Sequence, residues 1–375
     1  MNKKTICKRC IVDSSIPEAS FDISGKCNHC SLYDEIDSRY SEPVKLQKEF
    51  DSIISEIKNR GNGKNYDCIV GLSGGVDSSY TLLKAVELGL RPLVVHFDNG
   101  WNSDKAVKNI KKMISKLNVD LYTYVVNWQE FRDLQVSFLK ASVPDAEIPT
   151  DIAIKSVLYN TAAKHNIKYI LYSGSNHKTE GRMPRDWTYM DGRYIKSVHK
   201  IFGKNKSLPT YPNYTLKNLI YFHLFKRIKL VRLFNYIEFD NNSVVEQLRD
   251  KLNWEYYGGK HYESIYTKFF QSYILPVKHN IDKRLVHYSA LIRSNQISRN
   301  EALQRISELP YDIKDIKRDK EYVCKKLELS ISEFDEILKK PVRSYKDYKT
   351  YDNVKKHLDP IISYLKKAKL WPTIA

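Results

Sequence analysis

The 375-residue chain lacks any run of about 18 apolar residues, the length that a helix needs to cross a bilayer. Its first residues, Met1 to Lys4, lead directly into cysteines without the apolar segment of a secretory signal. We therefore expect no membrane-spanning helix and no cleaved signal, and we expect a cytoplasmic protein. Cysteines are few, six in all, and the 42% of hydrophobic residues is typical of a globular chain.

Acidic residues are scarce relative to basic ones, with 44 Asp and Glu against 62 Lys and Arg, which gives a formal net charge of +18. Such an excess attracts anions, including nucleic acids, nucleotides and acidic sugars. An equally open interpretation is that much of the positive charge reflects compositional drift, because the chain is also rich in Ile, Asn and Tyr. Charge alone therefore does not select a function.

Four of the six cysteines form two CxxC pairs, Cys7 with Cys10 and Cys27 with Cys30, separated by sixteen residues. This spacing is typical of a four-thiolate zinc site. The segment between the pairs has little hydrophobic mass, so metal binding would supply its stability. Disulfides are the alternative, and they are disfavoured in a protein without an export signal. The sequence predicts a structural zinc knuckle, with His29 as a bystander.

A phosphate-binding turn is predicted where the apolar segment 67–72 gives way to a helix over residues 80–88. Between them lies Ser73-Gly-Gly-Val-Asp-Ser-Ser79. A strand, a glycine-rich turn and a helix N-terminus together bind anions through backbone N–H groups and the helix dipole. The Gly-Lys-Ser/Thr end of a Walker A loop is missing, and so is a Rossmann GxGxxG.

Strands and helices alternate after this turn, with further strands predicted over 92–97, 121–126 and 168–173 and helices over 105–117 and 151–165. Such alternation predicts an α/β fold with a doubly wound parallel sheet. Ligands bind such sheets at the carboxyl ends of the strands. Those ends carry the turn at 73–79, residues 97–98 and the segment 174–180.

The alternation fades after about residue 181, and a mostly helical C-terminal region is expected. Residues 219–239 are predicted to form a partly buried helix or a subunit contact, with a membrane-surface helix as the alternative. Residues 243–246 match a capping box, which predicts a helix from Ser243 to about Leu252. Residues 254–264 place polar, basic and aromatic residues around a Gly-Gly turn, a composition that indicates a site rather than a core.

Three features occur together in the N-acetyl sugar amidotransferase family: the double CxxC, the Ser-Gly-Gly-Val-Asp-Ser loop and the Tyr-Gly-Gly-Lys-His-Tyr-Glu-Ser segment that ends at Ser264. The chain resembles this branch of the PP-loop ATP pyrophosphatase superfamily from Cys7 to about Ala302, and the last seventy residues carry little of the resemblance. These enzymes convert an acetamido group into an acetamidino group on nucleotide-linked or acidic sugars. Their products serve lipopolysaccharide O-antigen or nonulosonic acid synthesis.

The resemblance implies an adenine nucleotide α-hydrolase-like sheet and an AMP- and pyrophosphate-forming ligase. It implies that the turn holds the pyrophosphate part of ATP, that residues 97–98 contact the adenosine and that Asp77 and Glu180 hold Mg²⁺. The implied ATP-binding residues are Ser73, Gly74, Gly75, Asp77, Ser78, Ser79, Phe97, Asp98, Gly174 and Glu180.

The chemistry of this family assigns further roles to residues of the C-terminal half. Lys260 and Lys268 would hold phosphate or a sugar carboxylate. His261 would assist proton transfer, and Glu263 would bind metal or orient Lys260. With Asp77 these four form the predicted catalytic set, and Arg284 and His287 are weaker candidates.

The predicted organisation has four parts. Residues 1–35 form the zinc-binding knuckle, 36–62 a helical linker and 63–200 the ATP-binding domain. Residues 201–375 form the C-terminal region, which carries a substrate-site segment over 254–287.

Two other functions stay open on the residues alone. A tRNA-thiolating PP-loop enzyme would need a reactive cysteine, but Cys68 is predicted inside a strand and Cys324 in a distant surface helix. A non-catalytic subunit that binds ATP or RNA is the other. We expect no nucleic acid partner. Since no cysteine suits glutamine hydrolysis, the resemblance implies that ammonia comes from a separate glutaminase subunit.

Overall fold

The computed structural model describes residues 4–174 and 177–367, apart from the side chain of Lys366. Ser175 and Asn176, which belong to the predicted ligand segment 174–180, lie outside the described residues.

The sheet consists of five parallel strands in the order β3-β2-β1-β4-β5. They are β1 (Cys68–Gly71), β2 (Pro92–Asp98), β3 (Asp120–Val125), β4 (Tyr169–Tyr172) and β5 (Lys229–Arg232). The order runs outward from β1 in both directions, so the predicted doubly wound parallel sheet is confirmed. The direction of winding reverses between β1 and β4, where the carboxyl ends of the strands leave a crevice for ligands.

In sequence, α-helices lie before, between and after the strands of the sheet. They are α1 (Asn28–Ser38), α2 (Pro43–Gly61), α3 (Val76–Glu87), α4 (Asp104–Leu117), α5 (Trp128–Ala141), α6 (Ile148–Lys164), α7 (Gly192–Phe202), α8 (Leu216–Ile220), α9 (Asn241–Leu252), α10 (Ile265–Phe269), α11 (Leu275–His279), α12 (Arg284–Arg293), α13 (Arg299–Ser307), α14 (Ile313–Leu327), α15 (Ile331–Lys339) and α16 (Asp352–Lys367). Single π-helical turns, Tyr221–Phe225 and Phe270–Ile274, follow α8 and α10, and short 3₁₀ turns span Leu233–Asn235 and Tyr345–Asp347.

The two faces of the sheet are buried by different helices. On one face α3 contacts β1, β2 and β4, and its buried Leu82 and Leu83 join a core with Val70 and Val94. On the other face α6 contacts the same three strands. Because both faces are covered, the central strands are apolar at almost every position, as expected for a parallel sheet.

The region after α7 differs from the sequence prediction. Residues 219–239 do not form one helix: the helical segment that begins at Leu216 ends near Arg227, which has a left-handed φ of 51°, and β5 follows. The capping-box prediction is also wrong in detail. Helix α9 begins at Asn241, two residues before Ser243, and Asp240 caps it by accepting a hydrogen bond from the Ser243 amide at 2.8 Å.

The C-terminal region is otherwise mostly helical in its described part, as predicted. Strand β5 nevertheless comes from this region and completes the sheet. The four-part division of the chain stays a prediction. None of the helices in the described ranges is long and apolar enough to span a bilayer.

The four predicted zinc ligands form one buried cluster. Their sulfur atoms all lie within 4.8 Å of one another, and the closest pairs are 3.5–3.6 Å apart. Four sulfurs at the usual Zn–S distance of about 2.3 Å would stand roughly 3.8 Å apart in a tetrahedron. The cluster therefore fits a structural zinc ion with no open position for water.

The knuckle is fastened to the C-terminal helices. Arg299 on α13 donates hydrogen bonds to the carbonyl oxygens of Cys7 and Cys10, both at 3.1 Å. Arg293, at the end of α12, is 5% exposed and directs its guanidinium to the Cys10 sulfur at 3.7 Å. Ser289 accepts a hydrogen bond from the Ile11 amide at 3.2 Å. The knuckle thus fixes the outer face of α12.

We predict that the purified chain carries one zinc ion and that Cys27→Ser loses it. The loss of a ligand leaves three buried sulfurs without a fourth partner, so we expect the melting temperature to fall with the metal content. Metal analysis and thermal unfolding measure both quantities. Cys324→Ser, a change at a buried cysteine outside the cluster, is the control and should keep its zinc. An unchanged zinc content in Cys27→Ser would refute the assignment.

Candidate active site

The phosphate-binding turn follows β1 and leads into α3, as the sequence predicts. Gly74 has a φ of +82°, and a β-carbon at this position would lie 2.6 Å from the carbonyl oxygen of Ala106. Only glycine meets both constraints, since the backbone conformation is left-handed and α4 passes directly against the turn.

The turn is ordered by its own serines. Ser78 accepts a hydrogen bond from the Ser73 amide at 3.1 Å, and the two hydroxyls are 3.0 Å apart. Ser73 in turn accepts from the Gly75 amide at 3.2 Å. Gly75 is the N-cap of α3 and offers no side-chain cap. The first turn of α3 therefore has no cap from its own N-cap residue, and its positively polarised end favours an anion.

Aromatic residues of the segment 254–264 hold this turn from the other side. Trp254 is 1% exposed and donates its indole N–H to the Gly74 carbonyl at 3.2 Å. The Tyr257 hydroxyl accepts from the Val76 amide at 3.0 Å. Asn109 on α4 exchanges two 2.8 Å hydrogen bonds with the backbone of Glu255. The first part of this segment thus supports the site, and sequence reasoning missed Asn109 because a lone asparagine carries no motif.

The second part of the segment is paired with the chain that follows β2. The Ser103 amide donates to the Glu263 carbonyl at 2.8 Å, and the Ile265 amide donates to the Trp101 carbonyl at 2.9 Å. An antiparallel bridge joins Asn102 to Ser264. This pairing, which we call the β2 clasp, brings residues 260–263 to the carboxyl edge of the sheet.

Glu263 and His261 lie directly beside the phosphate turn. A β-carbon on Gly75 would be 2.9 Å from Glu263 Oε1, and the same oxygen is 3.9 Å from His261 Nδ1. Glu263 Oε2 is buried and has no hydrogen-bond partner in the described part of the chain. His261 has a left-handed φ of 65°, so strain is stored at this position.

Charges of both signs surround Asp77. This residue is half-buried in the first turn of α3. Burial raises the pKa of Asp77 to about 6, Lys260 opposes the rise, and Glu180 adds to it. Lys260 lies 3.8 Å from Glu180 Oε1 and donates to the Thr179 carbonyl at 3.3 Å. The structure therefore gathers Asp77, Glu180, Lys260, His261 and Glu263 at one place.

The protonation of the histidines follows from their neighbours. Burial lowers the pKa of His261, but the carboxylate of Glu263 outweighs it and the net shift is upward. His287 lies with its ring 6.1 Å from that of His261. Burial, reinforced by Lys260 and His261, holds the pKa of His287 well below its usual value. Two histidines whose pKa values are shifted in opposite directions thus stand side by side.

The predicted adenosine contacts, Phe97 and Asp98, lie at the end of β2, and Gly174, a further predicted ATP-binding residue, follows β4. Phe97 is buried against Tyr124, with its ring stacked at 6.0 Å, so its side chain belongs to the core. Asp98 accepts from the Gly100 amide at 2.8 Å and shapes the turn after β2. Gly174 follows β4, where a β-carbon would meet the Tyr172 hydroxyl at 2.7 Å. Their roles toward a nucleotide stay predictions.

Lys268 does not join the other predicted catalytic residues. Its ammonium pairs with Asp319 at 2.8 Å and with Asp315 at 3.3 Å, both on α14. The side chain also lies over the Tyr262 ring at 5.3 Å. These contacts indicate that Lys268 fastens α10 to α14.

A second charged group escaped sequence reasoning because its members are far apart in the chain. We call Asp145, Glu147 and Asp151, which lie in or just before the first turn of α6, the acidic cluster. Lys283 at the start of α12 faces them, 3.5 Å from Glu147 Oε2, and Gln271 donates to the same oxygen at 2.8 Å. Burial raises the pKa of Asp145 to about 6.

The site near the turn suits a magnesium nucleotide better than a bare metal ion. Over the described ranges, the cysteines are the one group of three or more potential ligands within 4.8 Å. Mg²⁺ in nucleotide enzymes takes one or two carboxylates and completes its shell with phosphate oxygens and water. Asp77, Glu180 and the unpaired oxygen of Glu263 are carboxylates of the type that this arrangement needs.

Residues 263–361 match the family model described as the LPS biosynthesis protein WbpG-like, C-terminal domain. The match confirms the resemblance to surface-polysaccharide enzymes for this segment, which begins at Glu263 of the β2 clasp. It also corrects one expectation, because the model extends to residue 361 and so includes most of the last seventy residues.

Comparison with solved structures gives distant similarities only. NMN synthetase from Francisella tularensis is 14% identical with a TM-score of 0.29, over 56% of this chain and 93% of that one. NH₃-dependent NAD synthetase from Campylobacter jejuni subsp. jejuni NCTC 11168, in complex with the nitrate ion, is 16% identical with a TM-score of 0.27, over the same shares. Similarity this low assigns neither fold nor activity. No curated protein sequence matches the chain.

We predict that Asp77→Asn stabilises the nucleotide-free protein at pH 8. The pKa of Asp77 is raised from 3.8 to about 6 by burial, so its ionisation destabilises the folded state above pH 6 and has no effect below pH 4. The variant's melting temperature should exceed that of the wild type at pH 8, and the difference should vanish near pH 4.

Asp104→Asn is the control, because Asp104 is an exposed carboxylate in the first turn of α4. Its loss should leave stability unchanged or slightly lower at pH 8. A lower melting temperature for Asp77→Asn than for the wild type at pH 8 would contradict the assigned electrostatics.

Proposed function

We propose that this chain is an ATP-dependent amidotransferase that converts the acetamido group of an N-acetyl sugar into an acetamidino group. The sugar would be acidic or nucleotide-linked and would serve the synthesis of lipopolysaccharide or a related surface glycan. The match of residues 263–361 to a WbpG-like domain supports this biological setting.

One observation carries the proposal: the β2 clasp sets Glu263, His261 and Lys260 against the phosphate turn. A β-carbon on Gly75 would lie 2.9 Å from the Glu263 carboxylate, so the turn and this carboxylate are close enough to contact one bound molecule. A turn that binds phosphates and a segment rich in proton-transfer groups thus face the same space. That arrangement is what transfer of an adenylyl group to a second substrate requires.

The proposed reaction has two steps. An amide carbon is a poor electrophile, so its oxygen first attacks the α-phosphorus of ATP, and pyrophosphate leaves from the turn and the α3 N-terminus. Lys260, and His261 when protonated, would stabilise negative charge on the transferring phosphate. Ammonia then attacks the activated carbon, and AMP leaves with the electron pair of the carbon–oxygen bond.

Mg²⁺ would be held by Asp77 with Glu180 or Glu263 and would neutralise charge on the phosphates of ATP. Burial raises the pKa of Asp77, and Glu180 and Glu263 add to the rise, so a bound cation would stabilise the ionised carboxylate. The neutral His287 would accept a proton from the attacking nitrogen.

The cysteines support ammonia as the nitrogen source and disfavour sulfur transfer. All six are buried. Cys68 is inside β1, where burial raises the pKa of its thiol, and burial also raises the pKa of Cys324 to about 11. Cys324 is therefore a buried residue of α14 and not the surface cysteine that the sequence predicted. Neither thiol has the accessible thiolate that glutamine hydrolysis or tRNA thiolation needs.

We predict that turnover yields AMP and pyrophosphate, and that Lys260→Gln reduces kcat/KM by roughly a hundredfold or more because it removes transition-state charge stabilisation. The assay incubates the enzyme with ATP, Mg²⁺, ammonium and a panel of UDP- and CMP-linked acetamido sugars. Chromatography identifies the nucleotide product, and mass spectrometry detects replacement of oxygen by NH in the sugar.

Lys64→Gln is the control, since Lys64 lies before β1 at the amino edge of the strands and donates to the Asn166 carbonyl. This variant should keep wild-type activity. ADP as the nucleotide product, or full activity in Lys260→Gln, would overturn the proposed function.

We predict that the isolated chain uses ammonium chloride and cannot use glutamine. A separate glutaminase subunit, resembling that of histidine biosynthesis, would supply ammonia in the cell. The experiment compares the two nitrogen sources at equal concentration with the pure chain. Efficient glutamine use that is abolished by Cys68→Ser or Cys324→Ser would show that the chain carries its own glutaminase.

A further inference from the structure

The edge of the sheet that β3 forms is open to solvent. Five of the six residues of this strand are exposed, and the exposed side chains include the large apolar or aromatic groups of Leu121, Tyr122 and Val125. In the described part of the chain, β3 pairs with β2 alone. An edge of this kind presents unpaired backbone groups to any strand that approaches it.

The opposite edge of the same sheet is protected. The residues of β5 are buried or half-buried. Lys229 at its start pairs with Glu56 of α2 at 3.1 Å, and Tyr236 just beyond its end donates to Glu49 of the same helix at 2.9 Å. Charged residues and a covering helix are common protections of an edge strand. β3 contains no proline or lysine, and its single charge, Asp120, lies at its first residue.

The backbone groups that β3 leaves free belong to alternate residues. The amide of Val126, just after the strand, donates to the Asp98 carbonyl at 3.0 Å, so the even-numbered residues direct their N–H and C=O groups towards β2. The odd-numbered residues Leu121, Thr123 and Val125 direct theirs away from the sheet. No described residue forms a hydrogen bond with these outward groups.

The side chains of β3 alternate between the two faces of the sheet. Leu121 is the register partner of Val94, whose side chain belongs to the core that α3 and α4 form with the sheet. Leu121 and Val125 therefore lie at this face, and Tyr122 and Tyr124 lie at the other.

A second copy of β3 matches this strand about Thr123. In an antiparallel pair with Thr123 opposite its own copy, Leu121 meets Val125 of the second copy at one face, and Tyr122 meets Tyr124 of the second copy at the other. The same register pairs the outward N–H and C=O groups of residues 121, 123 and 125 with one another. A shift by one residue would break both matches, and a shift by two would bring residues outside the strand into the pairing.

We propose that the chain forms a two-fold symmetric dimer in which the β3 strands of two copies pair antiparallel and join their sheets. The two-fold axis at Thr123 uses the open edge of both copies at once. Since α2 lies against β5, assembly ends at two copies. The joined sheets run in opposite directions, so the two candidate active sites do not face each other. The inference does not depend on the proposed function.

Analytical ultracentrifugation of the full chain over a range of concentrations tests the dimer. We expect the mass to rise with concentration from 43.9 kDa towards twice that value. Thr123→Pro should stay monomeric, because it removes an outward N–H and leaves the hydrogen bonds to β2 intact. Leu121→Lys should also stay monomeric, because it places a charge in the apolar pairing. Leu309→Lys, which changes an exposed leucine outside the strand, is the control and should dimerise like the wild type.

Cysteine cross-linking tests the register of the two strands. Thr123→Cys would place two thiols opposite each other, on Cα atoms about 5.5 Å apart, so a short bifunctional thiol reagent should link the copies. Asp120→Cys is the control, because its two thiols would be separated along the strands by about 20 Å. The native cysteines are buried and should not react.

Three results would overturn the inference: a wild-type chain that stays monomeric at every concentration, a dimer that persists in both Thr123→Pro and Leu121→Lys, or equal cross-linking at positions 120 and 123. Circular dichroism shows whether each variant is folded, and Leu121→Lys remains informative if Thr123→Pro folds poorly. A dimer without amidotransferase activity would reject the proposed function and leave the interface standing.

Discussion

The β2 clasp is the constraint on which the rest of the site depends. A glycine-rich turn after a strand binds phosphate in many folds, but here it faces reactive side chains only because residues 263–265 are hydrogen-bonded to residues 101–103. The clasp joins two parts of the chain more than 150 residues apart in sequence, so closing it costs conformational entropy. Trp254 and Tyr257 reinforce it by binding the turn itself. The C-terminal region thereby becomes part of the nucleotide site.

Helix α12 is held from two sides, and these contacts fix its position beside the candidate site. Its outer residues, Ser289 and Arg293, bind the zinc knuckle. At its N-terminal end, the His287 ring lies 6.1 Å from that of His261. Gly181 packs against Val286 so closely that a β-carbon would lie 3.0 Å away. The knuckle is therefore far in sequence from the candidate residues of the C-terminal half, but it holds the helix that carries His287. A four-thiolate metal cluster suits that task, because it is rigid and needs little hydrophobic mass.

The features that the sequence predicts correctly are those that depend on local sequence patterns. The two CxxC pairs, the loop at 73–79 and the alternating strands each depend on residues within a short window, and the structure confirms the sheet and the cysteine cluster. The incorrect or missing predictions concern tertiary contacts between residues that are distant in sequence. Lys268 stands in the same segment as Lys260, yet it pairs with α14, because partners contributed by distant helices decide where a long side chain points. Glu147 and Lys283 meet only in the folded chain, and no sequence spacing predicts their contact.

The candidate site gathers charges of opposite sign, some of them buried against the ordinary preference of charged groups for solvent. At the turn, the α3 N-terminus and Lys260 favour anions, and Asp77 would be compatible with them once a metal cation is bound. Burial raises the pKa values of Asp77 and, in the acidic cluster, of Asp145, so each ionised carboxylate destabilises the folded state. A fold selected for stability alone would place apolar or amide side chains there. The retained charges therefore indicate selection for ligand binding rather than for stability alone.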